Sequence, residues 1–137
     1  MARAKHRVVI DTNLWISFLL AKDFRKLDKM FADDRLVLLF SQELLDEFVE
    51  VARRPKFRKY FTLSDLQNLL LQVRTRAEFV NVTSDIILCR NPKDNFLLSL
   101  AADGQATHLL TGDKDLLGLQ TIGKTVIQPI TSYLSAR

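Results

Sequence analysis

The chain has 137 residues, 47% hydrophobic and 26% charged, with 4 Gly, 3 Pro and a single cysteine. That size suits one domain over residues 1–137, and the composition excludes disordered, collagen-like and disulfide-stapled chains. Lys and Arg total 20 against 16 Asp and Glu, and the resulting net charge of +4 names no partner by itself.

The lone Cys89 rules out a multi-cysteine zinc site and suits a reducing, cytoplasmic compartment. No apolar run reaches membrane length without a charge, so neither a signal-peptide core nor a membrane span is expected.

Taken in chain order, Val8-Val9-Ile10 is a β-branched run suited to a strand buried on both faces. Thr12 opens a helical pattern through Leu14, Phe18 and Leu19, and a second helix is expected over Asp23 to Ala32. Leu36 to Phe40 reads as another buried strand. Ser41 can cap the helix that follows, with Leu44, Leu45, Phe48, Val51 and Ala52 at helical spacing, and Arg53-Arg54-Pro55 ends it. Ser64 to Arg76 reads as a helix and Glu78 to Val82 as a strand. Asn91-Pro92 opens a helix that runs to Asp103, with Gly104 as its stop. Thr107 to Thr111 is the next strand, Lys114 to Leu117 a short helix and Thr125 to Ile127 a last strand. Strands alternating with helices predict an α/β fold with a mostly parallel sheet.

In such folds the ligand crevice lies beyond the carboxyl ends of the strands. Asp11 directly follows the first strand, and Asp113 follows the strand at Thr107–Thr111 after one Gly, so both belong at that edge. Each could equally be a helix N-cap, the commoner job for an Asp in this position. Asp94 shares a helical stripe with Leu97, Leu98 and Ala101, which aims a carboxylate toward the core. It needs a cation or several donors there, unless it reaches back as the third-position acid of a capping box opened by Asn91. On the Ser41 helix, Glu50 falls on the solvent face, whereas Glu47 and Asp46 both lie near the apolar one.

Other chemistries lack their residues. There is no Gly-rich phosphate loop and no Gly-x-Ser-x-Gly elbow. His6 and His108 lack metal-ligand spacing, and Cys89 has no evident base partner. Arg53, Arg54, Lys56, Arg58 and Lys59 cluster around Phe57 and Tyr60, and Arg74 and Arg76 form a smaller group. The larger cluster is either a solvated helix end or a surface for nucleic-acid phosphates.

Val8–Asn13, Ser41–Phe48, Arg90–Leu97 and Thr111–Leu116, in this order, resemble the PIN domain family, and most closely its toxin subgroup. The resemblance implies a three-layer α/β/α fold and a metal-dependent ribonuclease acting on single-stranded RNA. It implies an acidic quartet of Asp11, Glu47, Asp94 and Asp113, with Asp115 as a fifth acid, and so selects Glu47 over Asp46. Asn13 and Thr111 stand where the family places polar residues beside the acids, and Asn91 stands where many relatives carry Asp. Oxygen ligands without a nearby His or Cys favour Mg²⁺ or Mn²⁺. RNA, a cognate antitoxin and a second copy of the chain are the partners it implies. Two rival readings are a PIN-like module that binds RNA or protein without turnover, and a receiver-like phosphoacceptor domain. The second fits poorly, because Thr12 and Asn13 follow Asp11 where a receiver domain has adjacent acids.

Overall fold

The computed structural model describes residues 6–21 and 25–136. Its elements run β1 (His6–Ile10), α1 (Thr12–Ala21), α2 (Arg25–Ala32), β2 (Leu36–Phe40), α3 (Gln42–Ala52), α4 (Pro55–Arg58) and α5 (Leu63–Arg76). They continue with β3 (Glu78–Phe79), α6 (Pro92–Asp103), β4 (His108–Leu110), α7 (Lys114–Leu117), β5 (Thr121–Ile122), β6 (Thr125–Gln128) and α8 (Ile130–Ser135). The expected start of the second helix at Asp23 lies outside the described residues.

The strands form one sheet in the order β3-β2-β1-β4-β6-β5. All are parallel except β5, which pairs antiparallel with β6. With its helices, this is the three-layer α/β/α architecture. Val8, Val9 and Ile10 are at most 1% exposed, as a central strand covered on both faces requires. Successive connections leave β1 toward β2 on one side and return to β4 on the other. The switch point of the sheet therefore lies between β1 and β4, and both strands point their carboxyl ends at one crevice.

Local chemistry sets the helix starts. The Ser41 hydroxyl accepts from the Leu44 amide at 3.0 Å, and Thr62 with Asp65 forms a capping box for α5. Gly104 closes α6, but not through a left-handed conformation, which the next residue, Gln105, adopts instead at φ 53°. Its value is steric: a Cβ on Gly104 would sit 2.8 Å from the Leu39 Cδ1 atom.

One expectation needs correction. The strand expected over Glu78 to Val82 pairs with β2 only at Glu78 and Phe79, because β2 ends at Phe40 and offers no further partner. The stretch that follows, 80–91, has no regular structure, yet its amides are not abandoned. Asn95, Ser99 and Asp103, spaced four apart along α6, take up those of Leu88 and Cys89, of Ile86, and of Thr83 and Ser84. Asn95 completes the clamp by donating to the Cys89 carbonyl at 2.9 Å. This strap delivers Arg90 and Asn91 to the crevice.

His6 and His108 lie at the opposite end of the sheet. Their rings are 4.8 Å apart, and Tyr133 bonds His6 at 2.7 Å, so both are structural histidines remote from the acids.

Candidate metal centre

Asp11 stands between β1 and α1 and acts as that helix's cap. Its Oδ1 accepts from the Asn13 amide at 3.2 Å, and its Oδ2 accepts from the Thr111 hydroxyl at 2.7 Å. The same hydroxyl accepts from the Asp113 amide at 3.0 Å. Asp113 caps α7, its Oδ1 taking the amides of Asp115 at 2.8 Å and Leu116 at 3.2 Å. Capping and convergence thus coexist in both aspartates. The choice between them posed by the sequence dissolves, since each cap occupies only part of a carboxylate's four lone-pair sites.

Asp94 behaves differently. Asn91 caps α6 by accepting from the Lys93 amide at 3.0 Å, and no capping box forms. Asp94 is 5% exposed, and its Oδ2 is buried without a hydrogen-bond partner among the described residues. Burial, then the charges of Asp113, Asp11 and Asp115, push its carboxyl up to about 6. Burial raises Asp11 as well, against the lowering effect of its bond from Thr111. Ligand oxygens of Asp94, Asp113 and Asp115 lie within 4.8 Å of one another. A buried orphaned oxygen among mutually repelling carboxylates is what a bound cation would repair, so these residues fit a divalent ion.

Asp11 and Glu47 line the same crevice outside that group of three. Glu47 is half-buried on the wall, with Lys93 Nζ 3.9 Å from its Oε1, whereas Asp46 is exposed and bonded by Gln42. Helix rotation therefore separates the two acids that periodicity left together. Asn13 and Asn91 are exposed residues on the same wall, and Thr111 is buried beneath it. Of the five clustered cations, Arg54 and Lys56 line the crevice, while Arg53, Arg58 and Lys59 stand outside it. Three further cations reach the site without any run of charge to announce them: Lys93, Arg90 and Lys114. Only the folding of the strap and the starts of α6 and α7 place them there.

The sequence pointed to no cysteine near the acids. Cys89 in fact sits close enough to feel Asp94, Asp115 and Asp113, which, with burial as the larger cause, push its thiol up. The group whose ligand atoms converge nevertheless consists of carboxylates alone, Asp94, Asp113 and Asp115, a set of hard oxygens.

The PIN domain family model matches residues 7–115, a span that runs from β1 to the Asp115 carboxylate. An uncharacterized protein of the archaeon Methanocaldococcus jannaschii is 31% identical over 131 residues, covering 90% of this chain and 81% of its own. None of the described helices is long and apolar enough to cross a membrane. With an α/β/α fold, acids at the switch point and a family match across most of its length, the chain belongs to the PIN domain family.

Proposed function

We propose that this protein is a divalent-metal-dependent endoribonuclease whose residues 1–137 form one nuclease domain that hydrolyses phosphodiester bonds in single-stranded RNA. PIN domains are generally nucleases, which supports hydrolysis of nucleic acid. One observation carries the reading furthest: the buried, unpartnered Oδ2 of Asp94 beside Asp113 and Asp115. Asp94, Asp113 and Asp115 would hold Mg²⁺ or Mn²⁺, with Asp11 and Glu47 completing the acidic wall. When bound, such an ion lowers the pKa of a water and orients it for in-line attack on phosphorus.

The chain's own residues do the rest. Thr111 fixes the rotamer of Asp11 and ties it to the Asp113 backbone. Arg54 and Lys56 attract the anionic strand to a crevice whose acids would otherwise repel it. Asn91 supplies an amide where a further acid would add negative charge, which favours a site with fewer ions.

The resemblance to the toxin subgroup supports a role as the toxin of a toxin–antitoxin pair, with a cognate antitoxin and a second copy of the chain as further partners. Three measurements test the reading. Millimolar Mn²⁺ raises the melting temperature of the wild type but not of Asp94→Asn, and only the wild type cleaves a labelled single-stranded RNA on a gel. Induced expression arrests growth of the host in an Asp94-dependent way. A protein whose melting ignores Mn²⁺ and that leaves RNA intact refutes the enzymatic reading and favours a binding module.

A further inference from the structure

The acids at Asp11 and Asp113 do not lie at the end of a pocket. They form the ridge between two adjoining cavities, and Asn13 lines both. The first, about 260 Å³, is walled by Glu47, Arg54, Lys56, Asn91, Lys93 and Asp94. The second, about 620 Å³, is walled by Leu14, Ser17, Arg90, Gly112, Lys114 and Asp115. Each therefore carries its own set of cations, and the second is the larger.

Three features mark the cations of the second cavity as free to serve a ligand. Arg90 donates from Nη2 to both Asp115 oxygens at 3.1 and 3.2 Å, yet its side chain is 89% exposed. A pair so exposed contributes little to stability, so the guanidinium can leave Asp115 for a phosphate at small cost. Its backbone, in contrast, is anchored by the Asn95 clamp one residue away. Lys114 opens the one-turn helix α7, and its ammonium forms no ion pair among the described residues. Gly112, which lines the same cavity, leaves open space where a side chain would stand, since a Cβ there meets no atom within 4 Å.

We propose that Arg90 and Lys114 form a second phosphate-binding lobe, so that one RNA strand crosses the carboxylate ridge with a backbone phosphate held on each side. This rests on the nuclease reading above and adds to it the path of the substrate. A strand gripped on both flanks is held in register over the acids, which a single basic face cannot do.

Fluorescence anisotropy with labelled single-stranded oligouridylate, in Ca²⁺ across a salt series, tests it on the full-length chain. The wild type is compared with an Arg90→Ser/Lys114→Ser pair and an Arg54→Ser/Lys56→Ser pair, with melting curves as the folding control. Each pair is expected to weaken binding at least about 5-fold and to flatten the salt slope by about 0.7 per lost phosphate contact. In Mn²⁺, loss of the second lobe is expected to lower kcat/KM at least about 5-fold, through KM and, because the strand loses its register over the acids, through kcat as well. If the Arg54/Lys56 pair weakens binding and the Arg90/Lys114 pair does not, the second lobe is overturned while the nuclease reading stands. If the wild type neither binds nor cleaves the RNA, that reading falls and takes the lobe with it.

Discussion

Thr111 Oγ1 donates to Asp11 Oδ2 at 2.7 Å, joining residues at the ends of the two adjacent central strands β1 and β4 across the switch point. Because the same oxygen accepts the Asp113 amide, one buried hydroxyl sets the spacing of two acids. Thr111→Val keeps the shape and removes both bonds. It leaves a buried carboxylate short of a donor and an amide short of an acceptor, a loss of about 1.5–3 kcal/mol by urea denaturation. Mn²⁺ affinity measured by calorimetry should fall as well. A valine variant as stable as the wild type would mean that ordered water replaces the hydroxyl.

Asp94 predicts an inverted pH dependence for the metal-free protein. Its folded carboxyl titrates near 6 against an unperturbed value of 3.8, so the folded state keeps a proton that the unfolded chain releases. The fold therefore loses stability as pH rises from about 4 to about 6, and the loss is complete above that window. Asp94→Asn removes this contribution. The variant should match the wild type near pH 4 and melt higher than it at pH 7 without metal, with the order reversed in millimolar Mn²⁺. Thermal melts at the two pH values decide it, and a variant that melts below the metal-free wild type at pH 7 counts against repulsion at Asp94.

Asp113 separates capping from catalysis. Asparagine can accept the amides of Asp115 and Leu116 as the aspartate does, whereas alanine cannot. Asp113→Asn should keep the metal-free melting temperature, while Asp113→Ala loses about 1 kcal/mol. Both should cut metal-dependent RNA cleavage about 100-fold, the scale for removing one electrostatic group from a site of this type. Cleavage by the asparagine variant at the wild-type rate would leave Asp113 as a cap alone.

The basic cluster should divide in two. Arg54 and Lys56 line the crevice, and Arg58 and Lys59 do not. Neutralising the first pair is expected to weaken RNA binding and lower its salt slope, and neutralising the second to leave both nearly unchanged. Filter binding at two salt concentrations reads the difference. Equal losses from the two pairs would point to diffuse attraction by net charge instead of contacts at the crevice.

Much of the architecture was legible because it is local. An unbroken β-branched Val8-Val9-Ile10 run suits a strand covered on both faces, Ser41 and Pro92 mark helix starts, and an acid after each of two strands points to one sheet edge. The short pieces β5, α4 and α8 escaped notice, being too brief for periodicity to register.

The site itself was only half legible. Residue types and spacing nominated Asp11, Asp94 and Asp113, and the family resemblance added Glu47 and Asp115, yet Asp11 meets its Thr111 partner from 100 positions away, a juxtaposition that depends on β4 lying beside β1. The rotation of α3 turns Glu47 inward and Asp46 out, and the Asn95 clamp on the strap brings Arg90 over the ridge. None of these is encoded in a short window. Burial and convergence are properties of strand order and helix packing, so the sequence determined which groups could do the chemistry, and the tertiary structure alone decided which of them meet.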